Sequence, residues 1–429
     1  MPSVDSFAVK NAFYAQSGGV TSVINASACG VIEMARSHPE RIGKVYAAED
    51  GLFGLLREDL FDTSREDPLQ IAALRYTPGG AFGSSRYTLP RPEIAPAVWQ
   101  RVAAVLRAYD IGYVFINGGN GSMDACLLLN RLGEVTGWPV LAVGVPKTID
   151  NDLAGTDCSP GFGSAAKYLA TSIREVGLDV RAMAETTKVF ILEVMGRHTG
   201  WLTMACGLAA ESPDDAPHLL LLPEVPFDEA QFLAQVKETI VRVGYCIVAV
   251  SEGLRTAEGG FYAEQEKSET YGFEQLGGVG LRIAELVRRK LGMKCHCAVA
   301  DYLQRAARHI ASRTDVEQAY AVGRAAVGLA LSGQGGVMPG IVRVSDEPYV
   351  WRIDAVPLDG VAEIEKHPPQ GFIREDGFGI SEAARRYLAP LIVGEDYPPF
   401  AANGLPQFAK LAYHRVVKQL PPFEVTASA

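Results

Sequence analysis

An α/β fold built on parallel sheets is what this 429-residue sequence predicts. Short apolar runs alternate with stretches of helical spacing, and those runs end in glycine-rich or polar turns. With 48% hydrophobic and 21% charged residues, the chain can bury a sizeable core and is long enough for two or three domains.

In chain order, "NAFYAQSGGV" (11–20) reads as a strand followed by a glycine turn. "TSVINASACGVIEMARS" follows with helical spacing of Val23, Ala26, Cys29, Ile32 and Met34. A strand, a glycine turn and a helix start return at "IGYVFINGGNGSMDACLLLNRLGE" (111–134). "PVLAVGVPKTIDND" (139–152) is a third strand running into a polar loop. "TKVFILEVMGRHTGWLTMACGLAA" (187–210) and "GYCIVAVSEGL" (244–254) repeat the arrangement, making five strands that end in such loops. Loops of this kind gather at the carboxyl edge of a parallel sheet, where open α/β folds bind ligands. The polar stretch 255–280 reads as a surface excursion, and the Pro-rich tail from Asp396 onward as a peripheral wrap.

Composition removes several function classes. A formal net charge of −10 offers no basic face to a nucleic-acid backbone. The N-terminus lacks the charged-then-apolar order of a signal peptide, and no apolar run approaches the roughly 18 to 20 residues of a membrane span, so a cytoplasmic protein is expected. Seven scattered cysteines, at 29, 126, 158, 206, 246, 295 and 297, read as reduced thiols. Cys295 and Cys297 in "CHC" would share one face of a strand, but no second Cys/His pair stands at zinc-ligand spacing, so buried small hydrophobes is the preferred reading.

Each loop has a plain reading and a chemical one. "SGGV" (Ser17 to Val20) serves as a tight strand-to-helix turn or as a phosphate cradle. "NGGNGS" (Asn117 to Ser122) makes the stronger case, since its glycines leave backbone N–H groups bare at a helix start where the dipole favours an anion. Two such loops suggest a polyphosphate, although neither has the P-loop or dinucleotide spacing. In "PKTIDND" the acids Asp150 and Asp152 could cap a helix, but Lys147 beside them favours chemistry. A carboxylate takes a proton from an attacking hydroxyl while an ammonium neutralises the transferred phosphoryl group. "MGRHTG" and Gln304–Arg305 add guanidinium forks suited to a second phosphate.

Together, "SGGVTSVINA", "PGGAFGSSR", "NGGNGSMDA", "PKTIDND", "EVMGRHTGWL", "VAVSEG" and "DYLQRAARHIASRTD" resemble, in order, the phosphate, catalytic and sugar-phosphate segments of the phosphofructokinase family. The resemblance implies two Rossmann-type parallel-sheet domains with the active site in the cleft between them. It implies Gly19, Arg86 and Asn120, Gly121 and Ser122 on the donor, and Thr148 with Asp150, the general base, at the attacking hydroxyl. Met195, Gly196, Arg197, Glu252, Tyr302 and Arg305 would hold fructose 6-phosphate. Lys188, where the family usually has an arginine reaching in from a neighbouring subunit, implies a homodimer or homotetramer. Mg²⁺ is the implied cofactor, with Asn120 at its ligand position.

Family members that use ATP typically read "PGTIDND" and those that use diphosphate read "PKTIDND", so Lys147 points to diphosphate as donor and a glycolytic diphosphate-dependent 6-phosphofructokinase as the activity. The chain departs from the family pattern at three places. Diphosphate users often read "GGDDS", where this chain has Asn120 and Gly121, and the family's "QRGG" is "QRAA" at Gln304 to Ala307. The alternatives are an ATP-dependent phosphofructokinase, a lipid or NAD kinase relative, and a non-catalytic regulatory subunit or sugar-phosphate sensor. The expected division is a donor-binding domain over 1–185, a sugar-phosphate domain over 186–340, and a segment 341–429 returning to the first.

Overall fold

The computed structural model describes residues 9–263 and 277–425. The centre of the polar stretch 255–280 and the N-terminal segment lie outside the described residues. The chain divides into two compact units, Met1–Gly161 with Arg313–Glu365 and Glu395–Ala429, and Phe162–Ser312 with Lys366–Gly394.

Unit one is built on β1 (Lys10–Gln16), β2 (Ile42–Ala48), β3 (Leu60–Asp62), β4 (Ile111–Gly118) and β5 (Leu141–Pro146). Unit two contributes β6 (Val189–Val194), β7 (Leu219–Leu221), β8 (Cys246–Ser251) and β9 (Cys295–Val299). β10 (Val337–Asp346) and β11 (Tyr349–Pro357) return to unit one. The first sheet runs β11-β10-β5-β4-β1-β2-β3 and the second β7-β8-β6-β9. Every pairing is parallel except β2 with β3 and β10 with β11, which close the two edges of the first sheet.

Register decides where the loops emerge. Gln16 pairs with Asn117 and Gly118 with Pro146, so the loops after β1, β4 and β5 leave the sheet side by side. In unit two Val194 pairs with Ser251 and Glu193 with Val299, which aligns the ends of β6, β8 and β9. Central strands such as β4 and β8 are buried nearly throughout, as parallel strands covered by helices must be. That explains why they read as continuous apolar runs.

The unit boundaries fall at Gly161/Phe162 and Ser312/Arg313, not at 185 and 340. The physical cause is helix packing. The helix Phe162–Ala182 lies against Trp201–Cys206 of unit two. The helix Arg313–Leu331 lies against Ile24–Arg36 of unit one so closely that a Cβ on Gly30 would stand 2.3 Å from the Tyr320 carbonyl, and one on Gly323 2.2 Å from that of Ser27. The segment after 340 is also divided, since Lys366–Gly394 belongs to unit two.

The Pro-rich tail wraps unit one. Arg415 bridges Phe61 on the β3 edge, and the carboxylate of buried Glu58 accepts the N–H groups of Gln419 and Leu420 at 2.8 and 3.1 Å. All seven cysteines are free and six are buried, consistent with small core hydrophobes. Among the described residues no helix is long and apolar enough to cross a membrane.

Candidate active site

In unit one, three loops converge on Lys147. The first turns at Gly18, whose N–H donates to Ser85 at 2.9 Å, while the Ser84 hydroxyl donates back to the Gly18 carbonyl at 2.7 Å. This stitches Arg86, exposed on the next residue, to the glycine turn. The second loop runs into the helix Asn120–Asn130, whose N-terminus has no side-chain cap. The N–H groups of Asn120 and Gly121 are therefore available to an anion, while that of Ser122 donates to the Gly119 carbonyl at 2.9 Å.

Lys147 ties these loops together. Its N–H donates to the Gly118 carbonyl at 3.0 Å, and its ammonium donates to the Gly19 carbonyl. The residue is only 4% exposed. A cation held this far from water beside two anion-ready turns is a strong local source of positive potential.

Beyond Lys147 the chain is held in a fixed shape. Thr148 donates its N–H to Pro160, and its hydroxyl accepts the Asp150 N–H at 3.1 Å. Asn151 is buried at φ 53°, a conformation that asparagine tolerates better than most residues, and its amide oxygen accepts the Ser159 N–H. Asp150 is left half-buried at the end of this turn. The helix that follows begins only at Phe162, so neither Asp150 nor Asp152 is its cap.

Asp152, read from the sequence only as a possible helix cap, takes a different place in the structure. Its Oδ2 accepts from the Asn120 amide at 3.3 Å, and the buried Oδ1 atoms of both residues have no hydrogen-bond partner. Burial pushes the Asp152 carboxyl above its ordinary range, and Glu365 adds to that, against the Thr148 hydroxyl and Lys147. Two unpaired oxygens, one of them anionic, fit a hard divalent cation that takes its other ligands from phosphate and water. No group of three His, Cys, Asp or Glu side chains able to hold a metal exists among the described residues. The signal in the sequence was the second acid of "TIDND", but its meaning depends on Asn120 lying across from it.

In unit two the loop Met195–Gly200 is held by three side chains from other strand ends. The N–H groups of Met195, Gly196 and Gly200 donate to Gln304 at 3.2 Å, Glu252 at 3.4 Å and Glu224 at 2.7 Å. Gly196 sits at φ 131°, and a Cβ there would lie 2.6 Å from the Thr199 carbonyl, so only glycine fits. Burial raises the carboxyls of Glu252 and Glu224, with the backbone N–H groups partly offsetting it. Arg197 is carried on this loop, half-buried. Tyr302 is 62% exposed and the Arg305 guanidinium lies 3.7 Å over its ring. Gln304 and Glu224 were not singled out for these anchoring contacts, because nothing local in the sequence marks a side chain that holds a distant backbone.

The unit does not bring Lys188 to that group. Lys188 precedes β6 whereas Met195 follows it, which separates them by the strand's length, roughly 20 Å at ~3.3 Å per residue. Its ammonium reaches the Gly244 carbonyl at 3.4 Å instead.

Comparison with known proteins places this architecture. The family model described as Phosphofructokinase matches residues 11–330. The Pyrophosphate–fructose 6-phosphate 1-phosphotransferase of Halomonas elongata is 58% identical over 97% of this chain and 99% of its own. A protein of the same name from Methylococcus capsulatus is 57% identical over 96% and 98%. The crystal structure of the pyrophosphate-dependent phosphofructokinase from Nitrosospira multiformis superposes with a TM-score of 0.90 at 51% identity, covering 97% of this chain and all of that one. The chain belongs to the phosphofructokinase family.

Proposed function

We propose that the protein transfers a phosphoryl group from inorganic diphosphate to the 1-hydroxyl of fructose 6-phosphate, reversibly, giving fructose 1,6-bisphosphate and phosphate as a step of glycolysis in the cytoplasm. The names of its full-length relatives support this activity. The observation that carries the choice of donor is Lys147, buried and bonded to both glycine loops. A short donor with no nucleoside to grip is held by charge, and a desolvated ammonium supplies it where the leaving phosphate forms.

In this reading the donor lies against Gly19, Arg86, the N–H groups of Asn120 and Gly121, and Ser122. Asp150 accepts the proton of the attacking hydroxyl, and Thr148 fixes the turn that aims it. Asn120 and Asp152 hold Mg²⁺, which when bound neutralises charge on the donor oxygens. Met195, Gly196, Arg197 and Glu252 bind the sugar, and Arg305, backed by Tyr302, binds its phosphate. Lys188 serves the site of a second copy, which makes the working protein a homodimer or homotetramer. The open space at Gly121 is the one feature that favours ATP as donor, since a Cβ there would meet nothing within 4 Å.

Phosphorus NMR of the purified protein with Mg²⁺, diphosphate and fructose 6-phosphate tests the reading. Loss of diphosphate matched by equal amounts of phosphate and a new phosphate ester is expected. Hydrolysis to phosphate alone, or no turnover unless ATP is added, would refute it.

A further inference from the structure

The openness at Gly121 raises a question of selectivity that rests on the diphosphate reading. Lys147 is buried and Gly121 is exposed, so a donor placed as proposed has its inner end at the ammonium and its outer end toward Gly121. A donor longer than diphosphate then continues outward past Gly121, where a Cβ would meet nothing within 4 Å.

Two acids lie beyond Gly121, with Arg91 near one of them. Asp124 stands three residues beyond Gly121 on the same helix, hence on the same face one turn along. Segment 358–365 runs beside it: Leu358 and Val361 are buried in the same core cluster as Met123, and Glu365 bridges Leu153 in the loop that carries Asp152. Glu363, exposed and held at φ 63°, lies on this segment. The Asp124 carboxyl senses Glu363. After burial, the Glu363 charge is the main influence raising Asp124, with Arg91 opposing it.

We propose that Asp124 and Glu363 determine donor selectivity, repelling the additional phosphate of a nucleoside triphosphate or tripolyphosphate as it passes Gly121, while diphosphate ends short of them. A carboxylate on Gly121 itself is then unnecessary, because the neighbouring turn and the 358–365 segment supply the negative field.

The test compares the parent with Asp124→Asn, Glu363→Gln and the double variant, using diphosphate as donor and ATP or tripolyphosphate as competing inhibitor. In the double variant the Ki of both competitors should fall by about tenfold or more at low salt, two like-charge contacts having been removed. The gain should shrink in high salt, and diphosphate KM and Tm should stay near parental values. Unchanged Ki values in a variant of parental Tm would overturn the proposal. A fall for ATP but not tripolyphosphate would overturn it too, since repulsion acts on phosphate and not on the base. Parent protein that turns over ATP in preference to diphosphate would instead refute the assigned donor, and the proposal with it.

Discussion

The two units solve the same problem, holding a ligand loop at the end of a parallel sheet, with opposite charge. In unit one a buried ammonium, Lys147, bonds the carbonyl of one glycine turn while its own backbone bonds the other. In unit two the loop Met195–Gly200 is held through its N–H groups by Gln304, Glu252 and Glu224. Glu193, 2% exposed, repeats that arrangement by accepting from Gly278 and Gly280. The difference follows from which backbone group is offered. Carbonyls call for a cation and leave positive charge available to phosphate; N–H groups call for acceptors and leave carboxylates and amides that suit sugar hydroxyls.

The contrast breaks most severely at the proton acceptor. Asp150→Asn keeps the shape of the turn and removes the base, so kcat should fall on the order of 10² to 10⁴ with the fructose 6-phosphate KM far less affected. Steady-state kinetics with both substrates varied reads this, and near-parental kcat would remove Asp150 from the role.

Next in size is the cation. Lys147→Gly should lower kcat/KM for diphosphate by about 10² to 10³, because an ammonium in a water-poor phosphate site is worth far more than in bulk solvent. The KM for fructose 6-phosphate should hardly change. A loss shared equally by both substrates would mean that Lys147 only supports the loops.

Arg305→Ala probes the other unit. The KM for fructose 6-phosphate should rise about tenfold or more, as a charge-assisted contact is worth roughly 1.5 to 3 kcal/mol, with diphosphate KM unchanged. An effect confined to diphosphate would reassign the arginine to the donor.

The smallest effect concerns acid stability. His218 in unit two is buried neutral, accepts the Ile247 N–H on Nδ1, and has its pKa pushed down to about 4 by burial. Between the ordinary value near 6.5 and that lowered one, the unfolded chain binds the proton and the folded chain does not. Stability should therefore fall as pH drops through this window, by at most about 1.4 kcal/mol per pH unit from this one group. Denaturant melts at several pH values should show a shallower slope for His218→Gln, and an identical slope would exclude the histidine.

Legibility in the sequence followed the same physics. The strands β1, β4, β5, β6 and β8 could be read because each is an apolar run cut by a glycine or polar loop, and those loops carry most of the candidate site. β7 has only three residues, too few for any period to show. β10 and β11 are long, but their solvent-facing positions and antiparallel pairing depart from the buried parallel pattern. The unit boundaries differ from the expected ones because the helices that begin at Phe162 and Arg313 are assigned by what they pack against, Trp201–Cys206 and Ile24–Arg36, and no local pattern shows such distant contacts. The pairing of Asp152 with Asn120 was not legible because the two are 32 positions apart in sequence, and the β4–β5 register brings their loops together.

Direct competition between diphosphate and ATP, both at equal concentration with Mg²⁺ and saturating fructose 6-phosphate, addresses the central claim that unit one is built around Lys147 for a short anionic donor. The account predicts that fructose 1,6-bisphosphate forms with consumption of diphosphate while ATP remains. Preferential consumption of ATP by the parent protein would contradict it.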